Sequence, residues 1–255
     1  VRRIALEGWR EEGSTLVLEG AAAHRIRQVL RLGRGDTFLA TDGSGREMEL
    51  RIGDSAPGRV VCTVLGNRPA GGESPLRVTL VQGIPRLTRM DLVIQKATEL
   101  GVARIVPFWP LRGTVRPDPD GGTGRLGRWR RIATESAAQC RRAVVPEIEQ
   151  PVTLEEFLRR SAAPVRILLD PVEESPTLDT LAVGLPRQVE VIVGPEGGLA
   201  PEEADRCRRA AFLPIRLGPR VLRTETAGFA LLALLQYRWG DLGSAGVVPA
   251  AGEEG

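Results

Sequence analysis

Histidine is nearly absent from this 255-residue chain: His24 is the only one. A histidine-ligated metal centre, or a Ser-His-Asp triad built on a downstream histidine, is thereby all but excluded. Cysteine is scarce too. Cys62, Cys140 and Cys207 are an odd number without CxxC spacing, which argues against a disulfide framework and against a zinc site. Long hydrophobic runs are also missing. The longest, Phe229–Leu235, falls far short of the ~20 residues that cross a bilayer. The opening Val1-Arg2-Arg3-Ile4-Ala5-Leu6-Glu7 meets an acid too early for a signal peptide. The expectation is a cytoplasmic protein without a membrane segment.

Lysine is as rare as histidine. Lys96 is the sole lysine, so 34 of the 35 basic side chains are arginine, and the net charge is only +3. Arginine's planar fork suits phosphate and stacks on bases, so its distribution matters more than its total. Residues 121–145 carry Arg125, Arg128, Arg130, Arg131, Arg141 and Arg142 against Glu135 alone. Residues 21–35 carry Arg25, Arg27, Arg31 and Arg34 with no acid. Such one-sign patches suit a polyanion; a solvated helix face is the plainer alternative.

What is present reads as two regions. An apolar share of 42% with 26% charged residues is ordinary for a globular chain of this length. Up to residue 70 the pattern is of short strands, at Arg3–Leu6, Thr15–Leu18, Thr37–Thr41, Glu47–Ile52 and Arg59–Leu65, with one helix near Ala21–Leu30. So many short strands predict a small β-barrel, and Asn67–Pro75 predicts a linker. From Leu76 onward strands alternate with helices. Strands are expected at Leu76–Val81, Arg104–Phe108, Val165–Leu169, Val189–Val193 and Phe212–Leu217. Helices are expected over Met90–Leu100, Leu126–Ala143, Pro201–Ala211 and after Thr153. Thr88 with Asp91, and Thr153 with Glu156, have the spacing of a capping box. This alternation implies an α/β domain with a mainly parallel sheet covered on both faces. The last helix, Thr226–Trp239, is apolar nearly all round and must be buried in the core or against a second subunit. The expected division is 1–70, 75–242 and a disordered tail, 243–255.

Two glycine-bearing loops carry the functional signal. Val191–Glu203 reads as a buried strand, the loop Gly194-Pro195-Glu196-Gly197-Gly198 and a helix start. In open α/β sheets ligands bind beyond the carboxyl ends of strands, where glycine lets backbone approach them. The loop is neither GxGxxG nor a Walker loop. Glu196 would repel phosphate, so the ligand should carry positive charge; a simple tight turn is the alternative. The second loop, Leu217–Ala227, leads into the apolar helix, which Thr224 or Thr226 can cap. Two arginines and Glu225 against so apolar a helix are costly unless paired or functional. A structural Arg–Glu bridge is the alternative there.

The blocks GPEGGLAPEE (194–203) and LGPRVLRTETA (217–227) resemble the signature of the RsmE family of SPOUT RNA methyltransferases. DLVIQKATELGV at Asp91–Val102, the stretch Gln139–Ile148, and His24 followed by Val29-Leu30-Arg31 and Gly35-Asp36 match in the family's order. The resemblance therefore spans residues 24 to 239. It implies a PUA-like RNA-binding β-barrel followed by a SPOUT α/β trefoil knot, threaded from about Phe212 onward, which no periodicity could have shown. It implies S-adenosyl-L-methionine as methyl donor, held by Leu169, Gly194, Glu196, Gly197, Gly198, Leu217, Gly218, Leu222, Arg223 and Thr224. No metal is needed, because a sulfonium methyl is already activated. A homodimer through the knot domain and methylation of uridine N3 in 16S ribosomal RNA, free or in the small subunit, are further implications.

Within that resemblance Arg223 would face the uracil oxygens. Glu225 would either take the N3 proton or pair with an arginine at the knot. His24, Arg25, Arg31, Arg86, Arg112, Arg141 and Arg142 are the candidates to bind RNA. The chain departs from the family at Pro85-Arg86-Leu87-Thr88, where Pro-Lys-Gly-Asp is usual, at Pro110-Leu111-Arg112, and at Ala138–Arg142. All lie outside the cofactor loops. The rivals are a ribose 2′-O or tRNA methyltransferase of the same fold, and a non-catalytic ribosome-assembly factor.

Overall fold

A computed structural model describes residues 3–5, 9–12, 14–41, 43–69, 73–86, 89–112, 123–172, 175–181 and 184–243. The chain divides into two units, Val1–Glu73 with Ala137–Val145, and Ser74–Ser136 with Pro146–Gly255.

The first unit contains β1 (Arg3–Ala5), β2 (Trp9–Glu12), β3 (Thr15–Glu19), α1 (Gly20–His24) running into a π-helical turn at Arg25–Val29, β4 (Thr37–Thr41), β5 (Arg46–Ala56) and β6 (Arg59–Pro69). The strands form one sheet in the order β1-β4-β5-β6-β3-β2, antiparallel except where β1 meets β4. Strand β5 shows the cause. Met48, Leu50 and Ile52 are buried while Glu49, Arg51 and Gly53 between them are exposed, a period of two that makes one face apolar. That face packs with Ile4, Leu16, Leu18, Ile26, Phe38 and Val60 into one core. Register shifts at Glu49/Leu50 and Ile52/Asp54 add twist.

The expected linker is shorter than its composition indicated. Asn67, Arg68 and Pro69 pair with Met48, Glu47 and Arg46, because the long β5 offers them a partner and a strand's end tolerates proline. Glu73 accepts from Arg142 Nε at 3.1 Å and Nη2 at 2.8 Å, and from the amides of Ala143 and Val144 at 3.1 Å each. This one carboxylate fastens the 142–144 backbone. Arg142 is 6% exposed and its guanidinium is engaged, which removes it from the candidates for RNA contact.

In the second unit come β7 (Arg77–Gly83), α2 (Arg89–Glu99), β8 (Arg104–Trp109), α3 (Thr123–Gln139), β9 (Glu147–Ile148), β10 (Val152–Thr153), α4 (Leu154–Arg160), β11 (Val165–Leu169), a 3-10 turn at Leu178–Thr180, β12 (Gln188–Val193), α5 (Pro201–Arg209), β13 (Leu213–Ile215) and α6 (Thr224–Trp239). The strand order is β10-β8-β7-β12-β11-β13, with β9 also beside β8, and every pairing is parallel. Val189–Val193 is buried without alternation, as a strand covered on both faces must be.

Helix α2 buries Met90, Val93, Ile94 and Ala97 at the expected spacing; the capping expectation at Thr88 lies outside the described residues. The Thr153 box is present, with Glu156 N donating to Thr153 Oγ1 at 3.2 Å and Thr153 N donating to Glu156 Oε2 at 2.7 Å. Helix α6 is not covered all round by this chain: Leu234 and Tyr237 are 43% and 68% exposed. No side chain caps it; Arg223 occupies its N-cap position. Past its end, the amides of Gly240 and Leu242 still bond Gln236 O; residues 244–255 of the expected tail lie outside the described residues. No helix among the described residues is long and apolar enough to cross a membrane.

Candidate active site

Strands β12, β11 and β13 lie side by side, and the loops leaving their carboxyl ends line a cavity of about 560 Å³. Nine of the ten residues expected at a cofactor line it: Leu169, Gly194, Glu196, Gly198, Leu217, Gly218, Leu222, Arg223 and Thr224. Gly197 does not; a β-carbon there would lie 3.9 Å from Arg112 Cβ and O. The two glycine loops, distant in sequence, thus meet at one place.

Buried polar side chains hold them there. Gln82, wholly buried at the end of β7, donates from Nε2 to Thr224 Oγ1 at 2.9 Å. Thr224 Oγ1 in turn donates to Gly194 O at 2.5 Å. The threonine expected to cap α6 instead ties the start of that helix to the end of β12. Gln82 Nε2 also donates to Gly83 O at 3.0 Å, while its Oε1 has no partner among the described residues. Such an orphan costs ~1–3 kcal/mol. A β-carbon on Gly83 would lie 2.9 Å from Pro195 N and Cδ, so only glycine lets β7 end against this loop. Gly198 and Gly218 have φ of +67° and +68°, a left-handed backbone that side chains disfavour. Glu203, 2% exposed, accepts from Ala200 N at 2.8 Å and Leu111 N at 3.0 Å, joining the start of α5 to the backbone after β8.

The charged groups are unevenly used. Glu196 Oε1 accepts from the Arg86 amide and from Arg89 Nη1, each at 3.0 Å. Arg223 is exposed and lines the cavity. Glu225 is 8% exposed, lies outside the lining, and its Oε2 has no hydrogen-bond partner among the described residues. The expected Arg–Glu bridge is not among the ion pairs of the described residues; the N-terminal end of α6 is the favourable field for that carboxylate. Burial pushes the Cys62 and Cys207 thiols up to about 12, so neither is a nucleophile. No cluster of His, Cys, Asp or Glu among the described residues could hold a metal ion.

Sequence reasoning missed Arg89, Asp170 and Arg216 in the lining, and flagged Arg220 only as one of two arginines in its loop. Asp170 was within reach of the strand-end argument, one residue past Leu169. Arg89 had no local signal, because only the strand order, with β7 next to β12, brings the start of α2 to the loop after β12. The remaining RNA candidates are dispersed. His24, Arg25 and Arg31 are exposed in the first unit, where Arg27, Arg31 and Arg34 line a second cavity of about 450 Å³. Arg141 is also exposed there, and Arg86 and Arg112 are exposed in the second unit.

Strand order and cleft define the class: a parallel α/β domain with a small-molecule site at the carboxyl edge of its strands. Residues 72–236 match the family model described as an RNA methyltransferase domain. The ribosomal RNA small subunit methyltransferase E of Synechocystis is 33% identical over 86% of this chain and 72% of its own length. That of Bacillus subtilis is 29% identical over 89% and 92%. The structure of the Neisseria gonorrhoeae methyltransferase E bound to S-adenosyl methionine superposes with a TM-score of 0.83 at 30% identity, covering 94% of this chain and 98% of that one. A Legionella pneumophila protein described as a methyltransferase, solved with bound S-adenosylmethionine, superposes at 0.85 with 35% identity and the same coverage. The chain belongs to the RNA methyltransferase family, alongside the ribosomal RNA small subunit methyltransferase E proteins, as the motif resemblance implied.

Proposed function

We propose that this chain is an S-adenosylmethionine-dependent methyltransferase acting on N3 of a specific uridine in the 16S RNA of the small ribosomal subunit. The observation that carries the reading is the convergence of two glycine loops on one cavity, in a chain whose relatives are named for small-subunit rRNA methylation. The lining fits the cofactor. Leu169, Val193, Leu199, Ile215 and Leu222 offer apolar walls to an adenosine, and Glu196 offers a carboxylate to a cationic group. Its volume falls in the usual range for small-molecule sites.

When bound, the cofactor supplies an activated methyl group on sulfonium. The chain's own residues do the rest. The two loops, locked through Thr224, fix the donor's direction so that the base can meet it in line. Uracil N3 is nucleophilic only as the anion, whose charge rests on O2 and O4, and Arg223 at the cavity offers donors to those oxygens. Glu225, buried outside the lining, is not placed to take the N3 proton, which passes to solvent water at the exposed, Arg223 side of the cavity. The target base must be unpaired or extruded, since N3 lies on its pairing edge.

The same reading makes the second unit a SPOUT trefoil knot and the first a PUA-like RNA-binding barrel; the single core within its six-stranded sheet supports the latter. Arg25, Arg27, Arg31, Arg34, Arg86, Arg112 and Arg141 would hold phosphates. Exposed Leu234 and Tyr237 on α6 support a homodimer through the second unit, and the substrate fits a cytoplasmic enzyme. Mass spectrometry of nucleosides from small subunits treated with the protein and labelled cofactor tests the proposal. The expected product is 3-methyluridine. A 2′-O-methyl nucleoside, methylation of tRNA alone, or no transfer at all contradicts it.

A further inference from the structure

We propose that Arg89 and Glu196 form the subsite for the amino-acid end of the cofactor, Arg89 taking its carboxylate and Glu196 its ammonium. The proposal rests on the cofactor reading above and goes beyond it, because neither motif nor strand-end argument pointed to Arg89.

Both side chains line the cavity and pair at 3.0 Å, with side-chain exposures of 37% and 25%, so they sit at its solvent edge. Each keeps spare capacity. Glu196 binds Arg86 N and Arg89 through Oε1 only, leaving Oε2 without a partner among the described residues. Arg89 uses Nη1 alone, leaving Nε and Nη2 of a fork shaped for a carboxylate. A cation and an anion held side by side complement a zwitterion. They do not complement a phosphate, which Glu196 would repel.

Other charges in the lining are differently placed. Asp170 is engaged by Arg208 Nη2 at 2.9 Å, and Arg216 Nε by Ser175 O at 2.9 Å. Glu196 is steadied by the backbone amide of Arg86 rather than by its side chain, so the unusual Arg86-Leu87-Thr88 sequence leaves that contact intact.

Calorimetry on the full chain tests this with three ligands: S-adenosylhomocysteine, its decarboxylated analogue, and 5′-methylthioadenosine, which lacks the amino-acid end. Arg89→Gln should weaken S-adenosylhomocysteine about 10- to 100-fold and leave the other two within about twofold. Glu196→Gln should weaken both compounds that carry the ammonium and spare methylthioadenosine, and Arg89→Lys should recover part of the loss. Unchanged methylthioadenosine binding also certifies that each variant is folded. Equal weakening of all three ligands by Arg89→Gln would mean a loop-stabilising role and overturn the subsite. So would a loss confined to RNA affinity, which would assign the guanidinium to phosphate. A wild-type chain that binds none of the three overturns the cofactor reading and the subsite with it. One that binds all three equally overturns the subsite alone.

Discussion

The long strand β5 of the first unit has one wet face, whereas β12 at the centre of the second is covered on both. In β5 exposed residues separate Met48, Leu50 and Ile52, and Arg25, Arg31, Arg34 and Arg141 of the first unit lie exposed, whereas Arg142 is buried against Glu73. In β12 no residue from Val189 to Val193 reaches solvent appreciably, and the one charged residue among them, Glu190, is bonded by Ser161 Oγ; the polar groups around the cavity lie at the strand ends. There it needs internal partners: Gln82 to Thr224, Thr224 to Gly194, Glu203 to two amides. The difference teaches that the antiparallel unit can carry charge anywhere on its open face. The parallel unit gathers the polar groups of its cavity where loops meet, and holds those loops from behind.

That contrast predicts separable damage. Gly198→Val forces a β-branched residue into a left-handed backbone at the cavity. It should abolish S-adenosylhomocysteine binding, a loss above about 100-fold by calorimetry, with RNA affinity in filter binding held within about twofold; loss of both would break the division of labour. Arg142→Ala should lower stability and leave the cavity alone. It removes the guanidinium from Glu73, which keeps the amides of Ala143 and Val144, in a pair with side-chain exposures of 7% and 26%, and should cost about 2 kcal/mol in chemical denaturation, below the value for a wholly buried pair. Cofactor affinity should not move.

Thr224→Val keeps the shape but removes the hydroxyl from Gly194 O and from Gln82 Nε2, which keeps its bond to Gly83 O. A cost of about 1–2 kcal/mol and roughly tenfold weaker cofactor binding are expected; a stability loss without the binding loss would show that the relay does not set the loops. Smallest is Thr153→Ala at α4, with a fall in Tm of about 2–4 °C at neutral pH. The backbone and side-chain bonds from Thr153 lower the Glu156 carboxyl below its ordinary value. The stability they add is present above the ordinary carboxylate range and is lost as pH falls through the folded value. The gap between variant and wild type should therefore narrow in acid.

Most elements were legible from sequence, because burial leaves its period: two in β5, continuous in β12, helical in α2. Strand β2 was missed because Trp9-Arg10-Glu11-Glu12 carries no alternation. At the site, local motif reading located residues on the right loops but could not say which way they face. Gly197 and Gly198 are neighbours, yet only Gly198 lines the cavity. Thr224 and Glu225 are adjacent, but successive residues on a helix point about 100° apart, and Glu225 falls outside the lining. Arg89 comes from another element altogether, so the order of strands was needed to find it. Arg142 looked like surface charge because nothing local announces its pairing with Glu73, 69 positions away.

The most direct test of the central claim is a crystal structure of the chain with S-adenosylhomocysteine. Density for the ligand should lie between residues 194–199 and 217–224, with the Thr224 to Gly194 bond intact beneath it. A ligand bound elsewhere, or those two loops parting with no cavity between them, would contradict the account.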